Sequence, residues 1–175
     1  MSGVLTPDSG EVVFDGTNIA ALDDAARSKL RLNHFGFIFQ DGQLLPELTA
    51  TENVALPQIM RGTSRKEAHE QADDMLTRLG LGNFTNRFPG QLSGGQAQRV
   101  AIARALAGPP KVVFADEPTA ALDQATGHEV MQEIVAVAQK FGVTLVLVTH
   151  DPKIAAWCNR RIEIRDGLIH SEVAA

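Results

Sequence analysis

A serine and two glycines lie directly before a predicted helix, in the segment Leu92-Ser93-Gly94-Gly95-Gln96. The first N–H groups of a helix have no partner within the helix, and the helix dipole places partial positive charge at that end. Because Gly94 and Gly95 carry no side chains, phosphate oxygens can approach the backbone closely. The segment therefore predicts an anion site suited to a phosphate group. The alternative is an ordinary serine N-cap.

Two neighbouring carboxylates, Asp116 and Glu117, come directly after the apolar run 112–115. Phosphoryl transfer needs a metal ion to neutralise charge and a residue that places the nucleophile. In that chemistry Asp116 would hold Mg²⁺, through a water molecule, and Glu117 would orient and polarise the attacking water. The alternative is an acidic turn after a strand, with no catalytic role.

A glutamine and a histidine follow two other apolar runs of strand length. The imidazole of His150, after 143–148, could contact a terminal phosphate and the attacking water. The side-chain amide of Gln40, after 35–39, could bind Mg²⁺ and water. For both residues the alternative is a polar side chain that only caps a strand or forms a turn.

A scaffold that brings strand ends together would unite these candidates, and the apolar pattern predicts one. Strands are predicted over 12–14, 35–39, 112–115 and 143–148, with a final hairpin joined at Asp166-Gly167. Helices are predicted over 23–32, from about 53 to 81, from Ser93 to about 107, and over 124–140. Strand–helix–strand alternation in the C-terminal half predicts a parallel sheet. Ligands bind beyond the carboxyl ends of such strands. The helical stretch before residue 112 is predicted to be an inserted subdomain.

The composition indicates a soluble globular domain and limits its partners. The 175 residues are 44% apolar and 21% charged, with a net charge of −5. This charge argues against a protein that coats nucleic acid. The single cysteine, Cys158, excludes an internal disulfide, and we expect it to be a small apolar filler in a reducing compartment. With no apolar run near ~20 residues and no signal-peptide pattern, a membrane role is expected only through a partner.

Five elements occur in a fixed order along the chain and together resemble one family. They are Phe39-Gln40; Leu92–Gln96 with 99–106 (RVAIARAL) after it; Asp116-Glu117-Pro118-Thr119; Ala121-Leu122-Asp123; and Thr149-His150-Asp151. Their order and spacing resemble the Q-loop, signature, Walker B motif, D-loop and H-loop of ABC ATPases, over essentially the whole chain. The segments 44–49 (LLPELT), 52–57 (ENVALP) and 165–169 (RDGLI) are similar to exporters of macrolides and lipoproteins, a class also related to peptide efflux systems.

The resemblance implies a P-loop NTPase-like α/β fold, with a core of residues 1–40 and 110–175 and a helical signature subdomain over 41–109. It implies ATP as substrate and Mg²⁺ as metal, with Glu117, His150 and Gln40 catalytic and with Asp116 and Gln40 at the metal. In such a dimer the signature of one subunit faces the P-loop of the other across ATP. The implied ATP-binding residues are Ser93, Gly94, Gly95, Gln96 and Asp123, and Asp123 would also couple the two sites.

The resemblance also implies a membrane partner. The assembly would power a permease from the cytoplasmic face of the membrane, to which this chain would be peripheral. The region from Gln40 to Leu81 would receive the permease's coupling helix.

The chain departs from the family pattern in one major respect. It contains no G-x-x-x-x-G-K-[ST] sequence, and in the family that P-loop lies upstream of a segment like 3–10. An aromatic residue that stacks on adenine would lie upstream too. We therefore expect an incomplete core, an open apolar edge beside strand 112–115, and weak or no ATP affinity for this chain alone. Met1 is hypothesised to be an internal methionine taken as a start, or the chain a gene fragment. A milder departure is Ala120-Ala121, which replaces small polar residues, so hydrogen bonding in the D-loop should differ.

Three functions follow from these residues. The first is the ATP-hydrolysing subunit of an exporter. The second is a non-catalytic module that supplies only a signature face to an intact partner. The third is a non-transport ABC ATPase of DNA repair or translation. The net charge and the lack of long heptad repeats or a second cassette argue against the third.

Overall fold

Three parallel strands form the centre of the structure, a computed structural model that describes residues 1–174. They are β3 (Phe35–Ile38), β4 (Val112–Asp116) and β5 (Thr144–Val148), in the order β3-β4-β5. The register pairs Ile38 with Ala115 and Ala115 with Leu147. Each strand is mainly apolar, as is typical of strands in a parallel sheet, and residues of β3 and β4 are buried whereas those of β5 are partly exposed. The predicted parallel sheet is confirmed.

The sequence-based expectation of an open edge beside β4 is wrong for this structure. All five residues of β4 pair with β5, and β3 pairs with its other side. A buried strand must find partners for its N–H and C=O groups, and β5 is the next apolar strand along the chain. The central position of β4 therefore places Asp116 and Glu117 between the ends of two neighbours.

Two of the helices that lie outside the insertion follow the prediction closely. α1 (Asp24–His34) begins after Asp23, whose carboxylate accepts a hydrogen bond from the N–H of Ala26. α5 (Gln124–Phe141) ends at Gly142, whose φ of 64° is the left-handed conformation that closes many helices. A third, short helix, α6 (Pro152–Ala155), precedes Cys158. Burial raises the pKa of the Cys158 thiol, in keeping with a half-buried filler.

The insertion between β3 and β4 contains three helices, and the sequence-based boundaries need one correction. The stretch predicted as one helix from about 53 to 81 is two, α2 (Ala50–Met60) and α3 (Arg65–Arg78). The chain turns at Gly62, where φ is 97°, and Ser64 then caps α3. Apolar periodicity continues through the turn because both helices bury one face in the same core, so periodicity alone cannot mark the break. α4 (Gly94–Leu106) completes the insertion.

The third helix of the insertion packs directly on the sheet. A Cβ placed on Gly36 of β3 would lie 2.3 Å from the carbonyl oxygen of Ala105 in α4. Val100, Ile102 and Val113 are almost completely buried in the core between these elements. The close approach ties the inserted helices to the strands that carry the candidate carboxylates.

Two antiparallel hairpins lie outside this core. β1 (Val13–Phe14) pairs with β2 (Thr17–Asn18), and β6 (Arg160–Arg165) pairs with β7 (Leu168–Ala174). Asp166 and Gly167 both have positive φ, at 51° and 77°, as the predicted two-residue turn requires. The residues of β6 and β7 are exposed on both faces. No helix within residues 1–174 is both long and apolar enough to cross a bilayer.

We predict that Gly36→Ala destabilises the fold by about 1–3 kcal/mol, because the new methyl group overlaps the Ala105 backbone and overpacks the α4–β3 contact. Urea unfolding followed by circular dichroism measures the change. Gly90→Ala is the matched control, since a Cβ at Gly90 meets nothing within 4 Å. Equal midpoints for the two variants would contradict the close packing.

Candidate functional site

Four predicted site residues lie at the carboxyl edge of the sheet. Asp116 is the last residue of β4, and Glu117 follows it. Gln40 lies two residues after β3, and His150 lies two residues after β5. Since the strands are parallel and in the register given above, their ends meet at one edge. The structure thus brings these four residues to one side of the sheet, as the sequence predicts.

Glu117 occupies an unusual backbone conformation that fixes its side chain. Its φ is 45°, in the left-handed region that non-glycine residues seldom adopt. The peptide is held there because the N–H of Glu117 donates to the carbonyl of Val148, at 2.9 Å, and the N–H of Ala120 donates to the carbonyl of Glu117. Such strain, of the order of 1–3 kcal/mol, persists only where neighbouring contacts impose it.

The carboxylate of Glu117 accepts hydrogen bonds from the segment after β5. Oε1 lies 2.8 Å from the backbone N of His150 and 2.6 Å from the Nδ1 of its ring. Oε2 accepts a hydrogen bond from the Thr149 hydroxyl at 3.2 Å. A carboxylate offers about four acceptor positions. Glu117 therefore keeps roughly one lone pair for a water molecule.

The same contacts decide the protonation of Glu117. Burial acts to raise the pKa of this carboxyl, but the hydrogen bonds from His150 and Thr149 outweigh it and lower the pKa below the usual value. Glu117 is therefore ionised at neutral pH. An ionised carboxylate with a free lone pair can accept a proton of a water molecule and orient its oxygen.

Asp116 and Gln40 supply exposed oxygen atoms near this pair. Mg²⁺ prefers oxygen ligands and takes one or two protein groups together with substrate phosphates and water. One carboxylate and one amide oxygen on adjacent strand ends fit that donor set. Within residues 1–174 no cluster of three or more His, Cys, Asp or Glu side chains is arranged for a metal. A cation at this edge would thus need the phosphates of a ligand to complete its coordination.

The predicted signature residues begin α4. The Ser93 hydroxyl accepts a hydrogen bond from the N–H of Gln96, and the Gln96 side chain accepts one from the N–H of Ser93, which forms a capping box. Among the hydrogen bonds of the described residues, none uses the N–H of Gly94 or Gly95. These two donors, together with the helix dipole, remain available to an anion.

Asp123 caps the N-terminus of α5, and this end of α5 lies next to the start of α4. Its carboxylate accepts hydrogen bonds from the N–H groups of Ala125 and Thr126, both at 3.1 Å, and the bonds from Thr126 are the main cause of its lowered pKa. A Cβ on Gly95 would lie 2.7 Å from the Cγ2 of Thr126. The starts of the two helices are therefore packed against each other.

The structure leaves these residues in two groups. No hydrogen bond within residues 1–174 joins Ser93–Gln96 to Glu117 or His150. The groups are connected through the turn 117–123, in which the N–H of Leu122 donates to the carbonyl of Thr119. The helix starts and the strand ends thus form two distinct surfaces on one chain.

Sequence reasoning missed the contacts that hold α4 in place. The Arg99 guanidinium bonds Glu133 at 3.0 Å and Glu129 at 3.3 Å, which ties α4 to α5. The Gln98 side chain donates to the carbonyl of Phe39 at 3.2 Å. Glu129 and Glu133 are four residues apart and so share one face of α5. This spacing is visible in the sequence and indicates that a basic side chain packs against that face.

The family model described as ABC transporter matches residues 1–120. The chain therefore belongs to the ABC transporter ATP-binding family. It has the P-loop NTPase-like α/β fold: it superimposes on the dimeric cassette MJ0796, in a post-hydrolysis state bound to ADP and Pi, with a TM-score of 0.89 and 42% identity. That match covers 99% of this chain and 76% of the other.

Two curated relatives show how the chain compares with members of the family. It is 46% identical to the lipoprotein-releasing system ATP-binding protein LolD of Shewanella frigidimarina, over 94% of this chain and 69% of LolD. It is 47% identical to the macrolide export ATP-binding/permease protein MacB 2 of Aeromonas hydrophila, over 95% of this chain and 26% of that protein. The chain thus spans about seven tenths of the first relative and a quarter of the second.

We predict that His150→Ala raises the pKa of Glu117, because one side-chain hydrogen bond to the carboxylate is lost. Since the pKa of Glu117 is lowered by folding, its contribution to stability is present above the unfolded pKa and is lost as pH falls through the folded pKa. The stability gap between wild type and variant attributable to Glu117 should therefore be largest near neutral pH and shrink in acid.

Carboxyl-carbon NMR titration measures the pKa of Glu117 directly, and urea unfolding at several pH values measures the stability gap. The control is His170→Ala in the exposed strand β7, which should leave the Glu117 titration unchanged. An unchanged Glu117 pKa in His150→Ala would show that the ring does not stabilise the carboxylate.

Proposed function

We propose that this chain supplies the signature of one ATP-hydrolysing site, and the Walker B and switch residues of another, in an exporter of the ABC family. The observation that carries the proposal is the pair of surfaces on one chain: ionised Glu117 bonded by His150 at the strand ends, and the unpaired N–H groups at the start of α4. The export role is supported by the likeness to LolD and MacB 2.

The strand-end surface would position water against a terminal phosphate. Glu117 accepts a hydrogen bond from the attacking water with its remaining lone pair, while His150 and Thr149 hold the carboxylate in one orientation. Catalysis of phosphoryl transfer consists mainly of such positioning and of charge stabilisation. Mg²⁺, when bound, would neutralise phosphate charge there, and Asp116 and Gln40 would be the groups that hold it.

The helix-start surface would bind a phosphate of the nucleotide that the second subunit holds. The N–H groups of Gly94 and Gly95 point out of the first turn of α4, and the Ser93 hydroxyl adds a polar group. Asp123 lies at the start of the neighbouring helix, where it could respond to the same nucleotide. The likeness to a dimeric cassette supports an arrangement in which this surface faces a second subunit.

The P-loop of each site would come from polypeptide outside these 175 residues, because the sequence contains no G-x-x-x-x-G-K-[ST]. It also treats residues 41–109 as the signature subdomain and the segments 1–40 and 110–175 as the core. α2, α3 and α4 all lie in the former, which supports the division. The permease would contact the region between Gln40 and Leu81, at the cytoplasmic face of the membrane.

A second function has one observation in its favour. The capped and packed start of α4 needs no nucleotide for its order, so the chain could serve only as a signature face for an intact partner cassette. Each function predicts a different pattern of inactivating substitutions, because Glu117 and the signature act in different sites of a cassette dimer.

We predict weak or no ATP binding and no measurable turnover for the isolated chain. Mixed with an intact cassette such as Shewanella LolD, it should form a site that Ser93→Arg in this chain disables by about 10²-fold or more, since a bulky cation displaces the phosphate contacts. If this chain supplies only the signature face, Glu117→Gln leaves turnover of the mixture unchanged. If its strand-end surface also forms a second site with an external P-loop, Glu117→Gln removes the share of turnover that comes from this second site.

Isothermal titration with ATP and Mg²⁺ measures binding, and phosphate release measures turnover. Gly90→Ala serves as the control outside both surfaces. Tight nucleotide binding by the isolated chain, with Mg²⁺-dependent turnover that Glu117→Gln removes, would refute the need for an external P-loop. A mixture indifferent to Ser93→Arg would refute the role of the signature.

A further inference from the structure

Gln40 is a candidate ligand of the metal ion, but its side chain has no support of its own. The side chain is exposed, and among the hydrogen bonds of residues 1–174 none involves its amide group. The position of that amide therefore depends on the backbone that carries it. Gln40 lies in the connection from β3 to the insertion, and we call residues 39–43 the Gln40 loop.

The backbone of the Gln40 loop has an unusual conformation. Gly42 and Gln43 both have positive φ, at 69° and 43°. Glycine adopts this left-handed region readily, whereas a residue with a side chain, such as Gln43, seldom does. The N–H of Gly42 donates to the carbonyl of Phe39 at 3.0 Å and closes the loop as a tight turn. Since strained backbone persists only where neighbouring contacts impose it, contacts from outside the loop are needed to hold it.

Two side chains of α4 supply these contacts. The Arg104 guanidinium donates to the carbonyls of Gly42 and Gln43, both at 2.7 Å. The Gln98 side chain, which is almost completely buried, donates to the carbonyl of Phe39 at 3.2 Å. One helix therefore binds the loop both before and after its candidate metal ligand.

The loop packs along one side of α4. Gln98 and Arg104 each lie three residues from Ala101, which is the spacing of neighbours on a helix surface. A Cβ on Gly42 would lie 3.5 Å from the Oε1 of Gln98 and 3.6 Å from the Cβ of Ala101. The backbone of the loop is thus in contact with the helix between the two side chains that bind it.

Arginine is well suited to its place in this contact. Its rigid guanidinium fork can donate to two successive carbonyls at once, whereas lysine offers a single flexible ammonium group. Burial lowers the pKa of Arg104, since the guanidinium has lost part of its hydration, and the two carbonyl oxygens replace the lost water. The next residue, Ala105, has its carbonyl against Gly36 of β3. α4 is therefore fixed to the sheet at the point where it holds the loop.

We propose that Arg104 and Gln98 are positioning residues: they hold the Gln40 loop in its strained conformation and thereby place the Gln40 amide for a metal ion at the strand ends. This inference rests on the proposed function, since the position of Gln40 matters only where that surface receives Mg²⁺ together with nucleotide phosphates. Neither Arg104 nor Gln98 would contact the metal. A ligand group that is already held in position loses less conformational entropy when it binds a cation, so it binds more tightly.

The first test uses NMR on the isolated chain. The side-chain amide resonance of Gln40 is assigned by its loss in Gln40→Ala, and hydrogen exchange is measured at the backbone N–H of Gly42. We expect Arg104→Gln to shift or broaden the Gln40 resonance and to speed Gly42 exchange by about tenfold or more, because the turn opens when its carbonyls are released. Arg104→Lys should recover part of the effect. An unchanged Gln40 resonance and unchanged Gly42 exchange in Arg104→Gln would overturn the proposal.

Arg61→Gln is the matched control. The Arg61 guanidinium is also partly buried and also donates to a carbonyl, that of Gly108 at 2.6 Å, but at the opposite end of the insertion. Its loss should leave the Gln40 resonance and Gly42 exchange unchanged. Equal changes in Arg61→Gln and Arg104→Gln would mean that the insertion has loosened as a whole, which overturns the proposal.

Gln98→Leu covers the case in which Arg104→Gln does not fold. It keeps a buried side chain of similar size and removes the hydrogen bond to Phe39. Thermal unfolding shows which variants are folded. We expect Gln98→Leu to move the Gln40 resonance and to speed Gly42 exchange, though less than Arg104→Gln does. A folded Gln98→Leu variant with wild-type values for both would overturn the proposal.

The second test measures the Mg²⁺ requirement of turnover in the mixture with an intact cassette, for the share of turnover that Glu117→Gln removes. Arg104→Gln should raise the Mg²⁺ concentration for half-maximal turnover by about tenfold, with a smaller change in the rate at saturating Mg²⁺. In a Gln40→Ala background the same substitution should have no further effect, because Arg104 acts through Gln40. A further effect of equal size in that background would overturn the proposal.

Failure of the proposed function gives a different result from failure of this inference. If Glu117→Gln removes no turnover, the strand-end surface forms no site in the mixture, and the NMR readouts on the isolated chain still decide whether α4 positions Gln40. If Glu117→Gln removes turnover but Arg104→Gln leaves the Mg²⁺ requirement unchanged, the proposed function stands and the positioning role of Arg104 is overturned.

Discussion

The backbone of α4 lies so close to β3 that even a methyl group on Gly36 would overlap the carbonyl of Ala105. Further along the helix toward its start, Gln98 donates to the carbonyl of Phe39, and beyond that point lie Gly94 and Gly95. α4 therefore runs antiparallel to β3, with the end of the helix beside the beginning of the strand and the start of the helix beside the end of the strand. The start of α4 is therefore placed by backbone packing beyond the same edge of the sheet where the strands end. Every relation between the two candidate surfaces depends on this contact.

The position of Glu117 depends on the sheet in a different way. The strained left-handed conformation of this residue is held by a hydrogen bond to Val148, the last residue of β5. The same register brings Thr149 and His150 within reach of the carboxylate. Pairing of β4 with β5 thus imposes the conformation, orients the side chain and lowers the pKa of the Glu117 carboxyl. A residue that only formed a turn at this point would be more stable as glycine.

Most of the fold could be predicted because local signals agree with it. Asp23 and Ser93 cap helices, Gly142 ends one, and Asp166-Gly167 forms the last hairpin turn. Apolar runs of strand length locate β3, β4 and β5, and their polar endings mark the candidate site. These signals act over a few residues, so they are visible in the sequence.

The remaining features depend on pairings between distant residues. The order β3-β4-β5 decides that Glu117 meets His150, and nothing within either segment specifies that β4 has a neighbour on both sides. The break between α2 and α3 was missed because both helices contribute to one core, so the apolar period continues across Gly62. A groove beside β3 is lined by Arg31, Arg61 and Arg104, which are widely separated in the sequence and come together only after α1, α2 and α4 have packed beside β3.

The two signature glycines do not carry equal weight for function. At Gly95 a Cβ would lie 2.7 Å from the Thr126 methyl group, so packing of α4 against α5 already disfavours a side chain there, whatever the helix start binds. At Gly94 a Cβ would meet only Leu122, at an ordinary contact distance of 3.6 Å. The fold of this chain therefore does not require glycine at position 94. The proposed phosphate, which would approach the exposed N–H from outside the chain, would account for glycine at this position. A substitution at Gly94 would therefore test the proposed phosphate contact with little effect on the packing of α4, whereas a substitution at Gly95 would alter both.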